Sequence, residues 1–263
     1  MRRTSKALLR YANPSGLACL LLLCAVWEGL ARTNIGALRF LPTPVSIASH
    51  AGMLISDTNL PANVLHTIVI ACAGWAVASV AGLTLGTAIG VSDLLWRWSI
   101  ASIDALRSLP IVALLPIAVL LLGLSTKMEF VFVMYAAFWP VVVSTIAGLQ
   151  VLDPALSEVS ATLGLNRRKH IWKVMIPGAM VAVAVGMRLG LSIALVMAVV
   201  AEMLANPTGL GYQLVREQLS VEPALMFGYL IVIGAVGVVL NAAFRVALRI
   251  AMPGVAGLAG NEL

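Results

Sequence analysis

Six long apolar stretches, separated by shorter polar segments, run through this chain of 263 residues. A helix needs about 20 predominantly apolar residues to cross a bilayer, and the six stretches approach or exceed that length. Lipid offers backbone groups no hydrogen bonds, so each stretch is expected to be helical. We therefore predict an all-α, polytopic membrane protein with six transmembrane helices. The stretches are Gly16–Ala31, Val64–Val91, Ser99–Gly123, Phe130–Leu149, Gly178–Leu204 and Leu225–Ile250.

The composition argues against a soluble domain. Hydrophobic residues make up 61% of the chain and charged residues 11%, whereas a soluble domain carries about 25% charged residues. The net charge of +6 is compatible with nucleic acid binding, but in membrane proteins Lys and Arg collect in cytoplasmic loops. The cysteines lie in apolar stretches, and neither they nor the histidines show metal-ligand spacing. We expect no metal site and no nucleic acid partner.

The distribution of Lys and Arg predicts the orientation. With the N-terminus inside, eleven of the 17 basic residues fall on the inner side, four on the outer side, and two within spans. This asymmetry places both termini in the cytoplasm. The predicted parts are a cytoplasmic N-terminus at 1–15, a single transmembrane domain at 16–251, and a cytoplasmic tail at 252–263. The transmembrane domain includes an external loop at 32–63, where Val45–Ile55 is predicted to form a short helix, and a cytoplasmic loop at 150–177.

The cytoplasmic loop at 150–177 carries an organised polar pattern. Asp153 followed by Pro154 is typical of a helix start, with Asp as N-cap and Pro in the first helical position. The pattern predicts a short helix that runs to Leu165. Gly164 permits either a turn out of this helix or close approach by a partner. One face of the helix would present Glu158, Ala161, Thr162 and Leu165.

The second half of this loop is basic. Asn166 is predicted to cap a further helical piece, and Pro177 marks the point where the fifth span begins. A short rigid helix held between two spans would transmit any displacement to both of them. The basic residues are Arg167, Arg168, Lys169 and Lys173.

Three charges within the predicted spans are candidates for function. Arg188 lies about ten residues into the fifth span, where a charge is costly. It would either attract an anionic substrate or hydrogen-bond backbone carbonyls as a structural pin. Asp104 and Arg107 are three residues apart on one helical face and are predicted to pair. Because Pro110 and Pro116 should bend this helix, we interpret the pair as an internal ion pair near a hinge, with a substrate contact as the alternative.

Glu202 closes the fifth span on its predicted outer side. The turn-rich segment Asn206–Tyr212 follows, and it would form part of an outer gate, receive a binding protein, or serve as a simple loop. The candidate residues of a translocation path are thus Arg188, Glu202, Asp104 and Arg107.

Glycines recur every four residues in the second and fifth spans. Gly82, Gly86 and Gly90 share one helix face, and Gly186 and Gly190 repeat the pattern. Such stripes let two helix backbones approach closely. We interpret them as packing surfaces within one subunit, with a substrate path as the alternative.

The chain lacks the sequence of a nucleotide-hydrolysing site. None of its four lysines follows a glycine, so the phosphate-binding pattern Gly-x-x-x-x-Gly-Lys-Ser/Thr is absent. The chain therefore shows no Walker-type means of hydrolysing ATP, and we expect no cofactor in it. If transport is powered by ATP, separate subunits must bind the ATP and Mg²⁺.

The cytoplasmic loop resembles the "EAA" loop of bacterial ABC-type importer permeases. Glu158 and Gly164 are six apart, and nine residues then precede Val174-x-Ile176-Pro177. Two alanines of that pattern are replaced, by a valine and by Ser160. Further stretches are similar to the nitrate, taurine and alkanesulfonate subfamily of these permeases. They are Leu41-Pro42-Thr43-Pro44, Leu106-Arg107-Ser108-Leu109-Pro110, Leu115-Pro116, Ala201-Glu202-Met203-Leu204 and Gly209-Leu210-Gly211-Tyr212.

This resemblance implies a transporter subunit that is not itself an enzyme, and it also implies a fold, partners and a location. It implies the MetI-like fold of type I importer permeases, in a homodimer of six-helix subunits in the bacterial inner membrane. Two cytoplasmic ATP-binding subunits would lie beneath the dimer, and a periplasmic or lipid-tethered solute-binding protein above it. Cargo would be chiefly small anions. The residues implied to couple to the ATPase are Glu158, Ser160, Ala161, Thr162, Gly164, Leu165 and Pro177.

Three other functions remain open from the sequence. An ion-coupled secondary transporter would show internal repeats and buried carboxylates near the midplane, and neither is evident. A membrane-embedded enzyme would need a cluster of catalytic residue types. The third is an importer of the same family for a neutral pyrimidine precursor or an aromatic acid, because specificity in such systems rests largely on the binding protein.

Overall fold

A computed structural model describes residues 14–33, 40–151, 160 and 162–252, and these are helical with no strand. The predicted all-α class is therefore confirmed. A 3₁₀ turn at Ile111–Leu114 and a π-helical turn at Ile171–Met175 interrupt the series. The α-helices are α1 (Pro14–Arg32), α2 (Pro44–Ser56), α3 (Leu60–Gly90), α4 (Asp93–Arg107), α5 (Leu115–Leu122), α6 (Thr126–Gln150), α7 (Arg167–His170), α8 (Ile176–Ala205), α9 (Leu210–Leu219) and α10 (Pro223–Ala251).

Four helical elements in the described part are long and apolar enough to cross a membrane. They are α3, α6, α10 and the continuous element Arg167–Leu204, which has 38 residues. The third predicted span, Ser99–Gly123, is not one straight helix, because α4 and the helical stretch Ile111–Leu122 meet at 78°. The bend lies where Pro110 interrupts the backbone ladder, as the prolines predicted. Counting this pair as one span gives five, and the predicted six requires α1 to cross as well.

One compact unit comprises the described residues of Pro61–Gln213 and those from Ile233 onward. Within it, α3 and α8 both pack against α6 through their glycine stripes. A Cβ added at Gly86 would lie 2.7 Å from Cβ of Thr145, and one added at Gly190 would lie 3.1 Å from the carbonyl oxygen of Ala137. Larger residues at these positions would force the helices apart. The interpretation of the stripes as packing surfaces within one subunit is confirmed.

The other compact unit comprises the described residues up to Leu60 together with Leu214–Val232. The predicted short helix of the first loop is α2, where Thr43 caps the N-terminus and a proline follows in the first turn. The Trp27 and Phe227 rings lie 5.8 Å apart, and the Tyr229 hydroxyl lies 3.0 Å from Oδ2 of Asp57. Aromatic and polar contacts therefore join α1, α2 and the beginning of α10.

Candidate functional site

The predicted helix from Asp153 to Leu165, which we call the coupling helix, lies mostly outside the described residues. Glu158 and Ala161 are among the residues that the structure does not describe. Ser160 and Thr162 are helical. The helix ends at Gly164, whose φ is +65°, and the Leu165 amide donates to the Ser160 carbonyl at 3.1 Å. This six-to-one bond with a left-handed glycine is the Schellman arrangement of a helix C-terminus. Of the two roles predicted for Gly164, the structure shows the turn out of the helix.

Ser160 also contacts the helix that follows. Its side chain is buried, and its Oγ lies 2.7 Å from Nδ1 of His170. As predicted, Asn166 caps that helix, because its Oδ1 accepts a hydrogen bond from the Lys169 amide at 2.9 Å. No pattern in the sequence pointed to His170, because the contact depends on how the intervening turn folds back.

The basic piece continues without interruption into the fifth span. α7, the π-helical turn and α8 form the single element Arg167–Leu204, which we call the lever helix. Pro177 lies in the first turn of α8. In a regular α-helix its ring would clash with the carbonyl of the residue four positions earlier, and the wider π turn directly before it relieves that clash. At 1.5 Å per residue, 38 residues span roughly 57 Å.

Arg188 lies midway along the lever helix and lines a cleft between α8 and α10 with a volume of about 760 Å³. Within the described part of the chain, no hydrogen bond or ion pair is formed by the guanidinium groups of Arg188 and Arg245. The guanidinium group of Arg188 therefore does not donate to a backbone carbonyl of these residues, as its alternative role of a structural pin would require. Ser192 Oγ and Nδ2 of Asn241 lie 3.3 Å apart in the same cleft. The lining is Val185, Arg188, Leu189, Ser192, Gly234, Gly237, Val238, Asn241 and Arg245.

Asp104 and Arg107 form the predicted ion pair, with 2.9 Å between Oδ1 and Nε. Both side chains are about half exposed, at 52% and 49%, so the pair is not enclosed within the subunit as an internal ion pair would be. Arg107 borders a separate cavity of about 320 Å³ and does not line the Arg188 cleft. The four residues predicted for a translocation path thus lie at three different places and do not form one site.

Glu202 is fully buried at the end of the lever helix, where it holds the start of α9. Three consecutive amides, those of residues 209–211, each donate to a side chain from another helix. Their acceptors are Oδ1 of Asn63 at 3.1 Å, Oγ1 of Thr67 at 3.0 Å and Oε2 of Glu202 at 2.9 Å. These amides would otherwise be unpaired at a helix N-terminus, where a carboxylate is favoured. The predicted turn-rich loop is therefore fastened to α3 and α8.

A second buried carboxylate lies in the same region and was not predicted. Glu129, at the beginning of α6, is fully buried, and its Oε2 lies 3.0 Å from Nε2 of His66 in α3. Oε1 of Glu129 and Oε1 of Glu202 have no hydrogen-bond partner within the described residues. The contact joins residues 63 positions apart, which no local pattern reveals. The apolar run that follows Glu129 was the only signal that it enters a membrane helix.

These features define a helical membrane subunit with a polar cleft and a helix-turn segment fastened to the base of a spanning helix. Residues 78–257 match the family described as binding-protein-dependent transport system inner membrane component. The chain belongs to this family of transporter subunits, in which a multi-pass membrane protein works with a solute-binding partner. The predicted class of protein is confirmed.

The chain is similar to several permeases along most of its length. It is 28% identical to the putative aliphatic sulfonates transport permease SsuC of Bacillus subtilis, over 87% of this chain and 83% of that protein. It is 26% identical to the nitrate import permease NrtB of Leptolyngbya laminosa, over 89% and 85%. It is 27% identical to the formylaminopyrimidine transport permease ThiX of Halalkalibacterium halodurans, over 89% and 92%.

A solved structure shares the fold. A chain of the MetNI methionine ABC transporter in an inward-facing conformation superposes with a TM-score of 0.57 at 17% identity, over 71% of this chain and 96% of that chain. At this identity the likeness establishes the architecture. The predicted permease fold is confirmed.

Proposed function

We propose that this permease subunit imports a small anionic solute of the sulfonate or nitrate type, powered by separate ATP-hydrolysing subunits. The observation that carries the choice of an anion is the unpaired charge of the cleft. Two guanidinium groups, Arg188 and Arg245, line it, and no acidic residue of the described part of the chain does. An arginine at the centre of a spanning helix costs about 3 kcal/mol on insertion scales. An anion that enters the cleft offsets part of this cost and is stabilised by charge-assisted hydrogen bonds.

The shape and lining of the cleft favour an organic anion. At about 760 Å³ it falls in the range of small-molecule sites, which are mostly apolar with a few polar groups. The Ser192–Asn241 pair supplies neutral hydrogen-bonding groups, and Leu189 and Val238 supply apolar surface. An aliphatic sulfonate, the cargo in the name of the Bacillus subtilis relative, has a charged head and an apolar body that match this lining. A neutral pyrimidine would leave both arginines uncompensated.

Coupling in this proposal is mechanical. Cytoplasmic ATPase subunits bind the segment Glu158–Pro177, and their closure on ATP displaces it. The lever helix carries the displacement to the cleft, since Arg188 lies 18 residues beyond His170, roughly 27 Å along the axis. The cleft then changes from inward-facing to outward-facing access and receives cargo from the binding protein. The chain itself performs no covalent chemistry, acts as a homodimer, and has both termini in the cytoplasm.

A panel of solutes tests the choice of cargo. Proteoliposomes that contain the complete importer, with its binding protein outside, are supplied with ATP inside and given ethanesulfonate, taurine, nitrate or a neutral formylaminopyrimidine. We expect ATP-dependent accumulation of a sulfonate or nitrate and none of the pyrimidine. Accumulation of the pyrimidine alone would contradict an anionic cargo while leaving ATP-driven import intact.

A further inference from the structure

We propose that His170 is the positioning residue that fastens the coupling segment to the lever helix, through its hydrogen bond to Ser160. The inference rests on the proposed function, because it concerns how displacement of that segment reaches the cleft. It assigns a role to a residue that is not one of the defining positions of the EAA-type pattern.

Both the side chain and the backbone carbonyl of Ser160 form hydrogen bonds. Its Oγ lies 2.7 Å from Nδ1 of His170, while its carbonyl accepts the Leu165 amide that closes the helix end. The side chain is 6% exposed, and a hydrogen bond shielded from water contributes more than one at the surface. The same residue therefore belongs to the coupling helix through its backbone and to the lever helix through its side chain.

The chain connects the two helices through a short turn. It consists of Gly164, in the left-handed conformation, then Leu165 and the capping residue Asn166. Rotation within this turn would absorb a displacement of the coupling helix before it reached the lever helix. The Ser160–His170 bond bypasses the turn and joins the two helices directly.

His170 occupies the base of the lever helix. It is the last residue of α7 and directly precedes the π-helical turn Ile171–Met175. Single π turns within helices are frequent at functional sites. A side chain fixed at this position transfers force to α7, on the cytoplasmic side of the π-helical turn. The coupling helix and α7 therefore move together.

Side-chain geometry supplies a matched pair of variants. Asparagine places its amide near the position of Nδ1 of the imidazole, and glutamine places it near Nε2. His170→Asn should therefore retain a hydrogen bond to Ser160, whereas His170→Gln and His170→Ala should lose it. Ser160→Ala removes the bond from the other side, and the double variant tests whether the two residues act as one unit.

The experiment measures movement of the lever helix without requiring the cargo. Spin labels are attached at Val196→Cys and Val239→Cys, which are exposed and do not line the cleft. The native residues Cys19, Cys24 and Cys72 are replaced by alanine. The complete importer is placed in nanodiscs, and the distance distribution between the labels is recorded before and after addition of ATP with vanadate.

We expect ATP to shift the distance distribution when residues 160 and 170 are unchanged. His170→Ala, His170→Gln and Ser160→Ala should each lower the ratio of shifted to unshifted molecules about three- to tenfold, the range expected for one hydrogen bond. The double variant should be no worse than either single one, and His170→Asn should respond like the unchanged chain. ATP hydrolysis by the partner subunits should continue in every variant.

The possible contrary results contradict different claims. If His170→Ala shifts as fully as the unchanged chain, or if His170→Asn is as impaired as His170→Ala, the role of His170 is overturned. Effects of the two single variants that multiply in the double variant also overturn it, since the residues would then act independently. Absence of an ATP-induced shift in the unchanged chain contradicts instead the proposed function.

Discussion

Gly164→Asp is expected to abolish ATP-dependent import while the protein still reaches the membrane. Among the described residues the substitution is mild, because a Cβ at this position meets none of their atoms within 4 Å. Its φ of +65° is a conformation that Asp and Asn tolerate better than other side chains, at a cost of about 1 kcal/mol. The new carboxylate would, however, project from the surface that we expect to dock against the ATPase. Import and membrane content are measured in the same cells.

Two variants at the same position separate docking from folding. Gly164→Asn has nearly the same shape and the same tolerance of positive φ but no charge, and Gly164→Ala adds the least volume. If the surface docks, import should decrease in the order Ala, Asn, Asp while the melting temperature stays within a few degrees. Normal import by Gly164→Asp would count against docking of this turn on a partner.

Arg188→Gln is expected to lower import of an anionic cargo by at least about tenfold, because a hydrogen bond to a charged group contributes about 1.5–3 kcal/mol. The glutamine keeps hydrogen-bonding capacity and much of the side-chain length, so the change is chiefly one of charge. Arg188→Lys should retain part of the import, since it keeps the positive charge but loses the bidentate geometry. Initial rates of uptake are compared after correction for the amount of permease in the membrane.

Arg249→Gln is the matched control for this substitution. Arg249 is exposed in the last turn of α10, one helical turn beyond Arg245, and does not line the cleft. Arg249→Gln removes the same charge from the same compact unit and should leave import near normal. An Arg188→Gln variant whose import falls only in proportion to its membrane content would mark Arg188 as structural.

Much of the fold follows from short-range physics. The long apolar stretches become helices because lipid leaves the backbone no alternative. The bend of the third span follows from Pro110, which lacks an amide hydrogen. The start of α7 follows from Asn166, whose side chain caps it. Both effects act on neighbouring residues. The ion pair of Asp104 with Arg107 likewise depends on helical spacing alone.

The candidate site was only partly predictable, because its contacts join distant positions. The charge of Arg188 stands out in an apolar run, but that it faces Arg245 across a cleft depends on how α8 and α10 pack. Glu202 was selected from its place at a span end, whereas the fastening of residues 209–211 also requires Asn63 and Thr67 of α3. The bond between Ser160 and His170 depends on the geometry of one turn, which residue types do not specify.

The central claim is that this membrane subunit takes its force from a separate ATPase through the segment Glu158–Pro177. Cargo accumulation in sealed proteoliposomes, with and without the ATPase subunits and with ATP present throughout, tests it most directly. We expect accumulation against a gradient only when the ATPase subunits and ATP are both present, and its loss when Gly164→Asp replaces the unchanged chain. Uptake at the full rate by the permease and binding protein alone would contradict it.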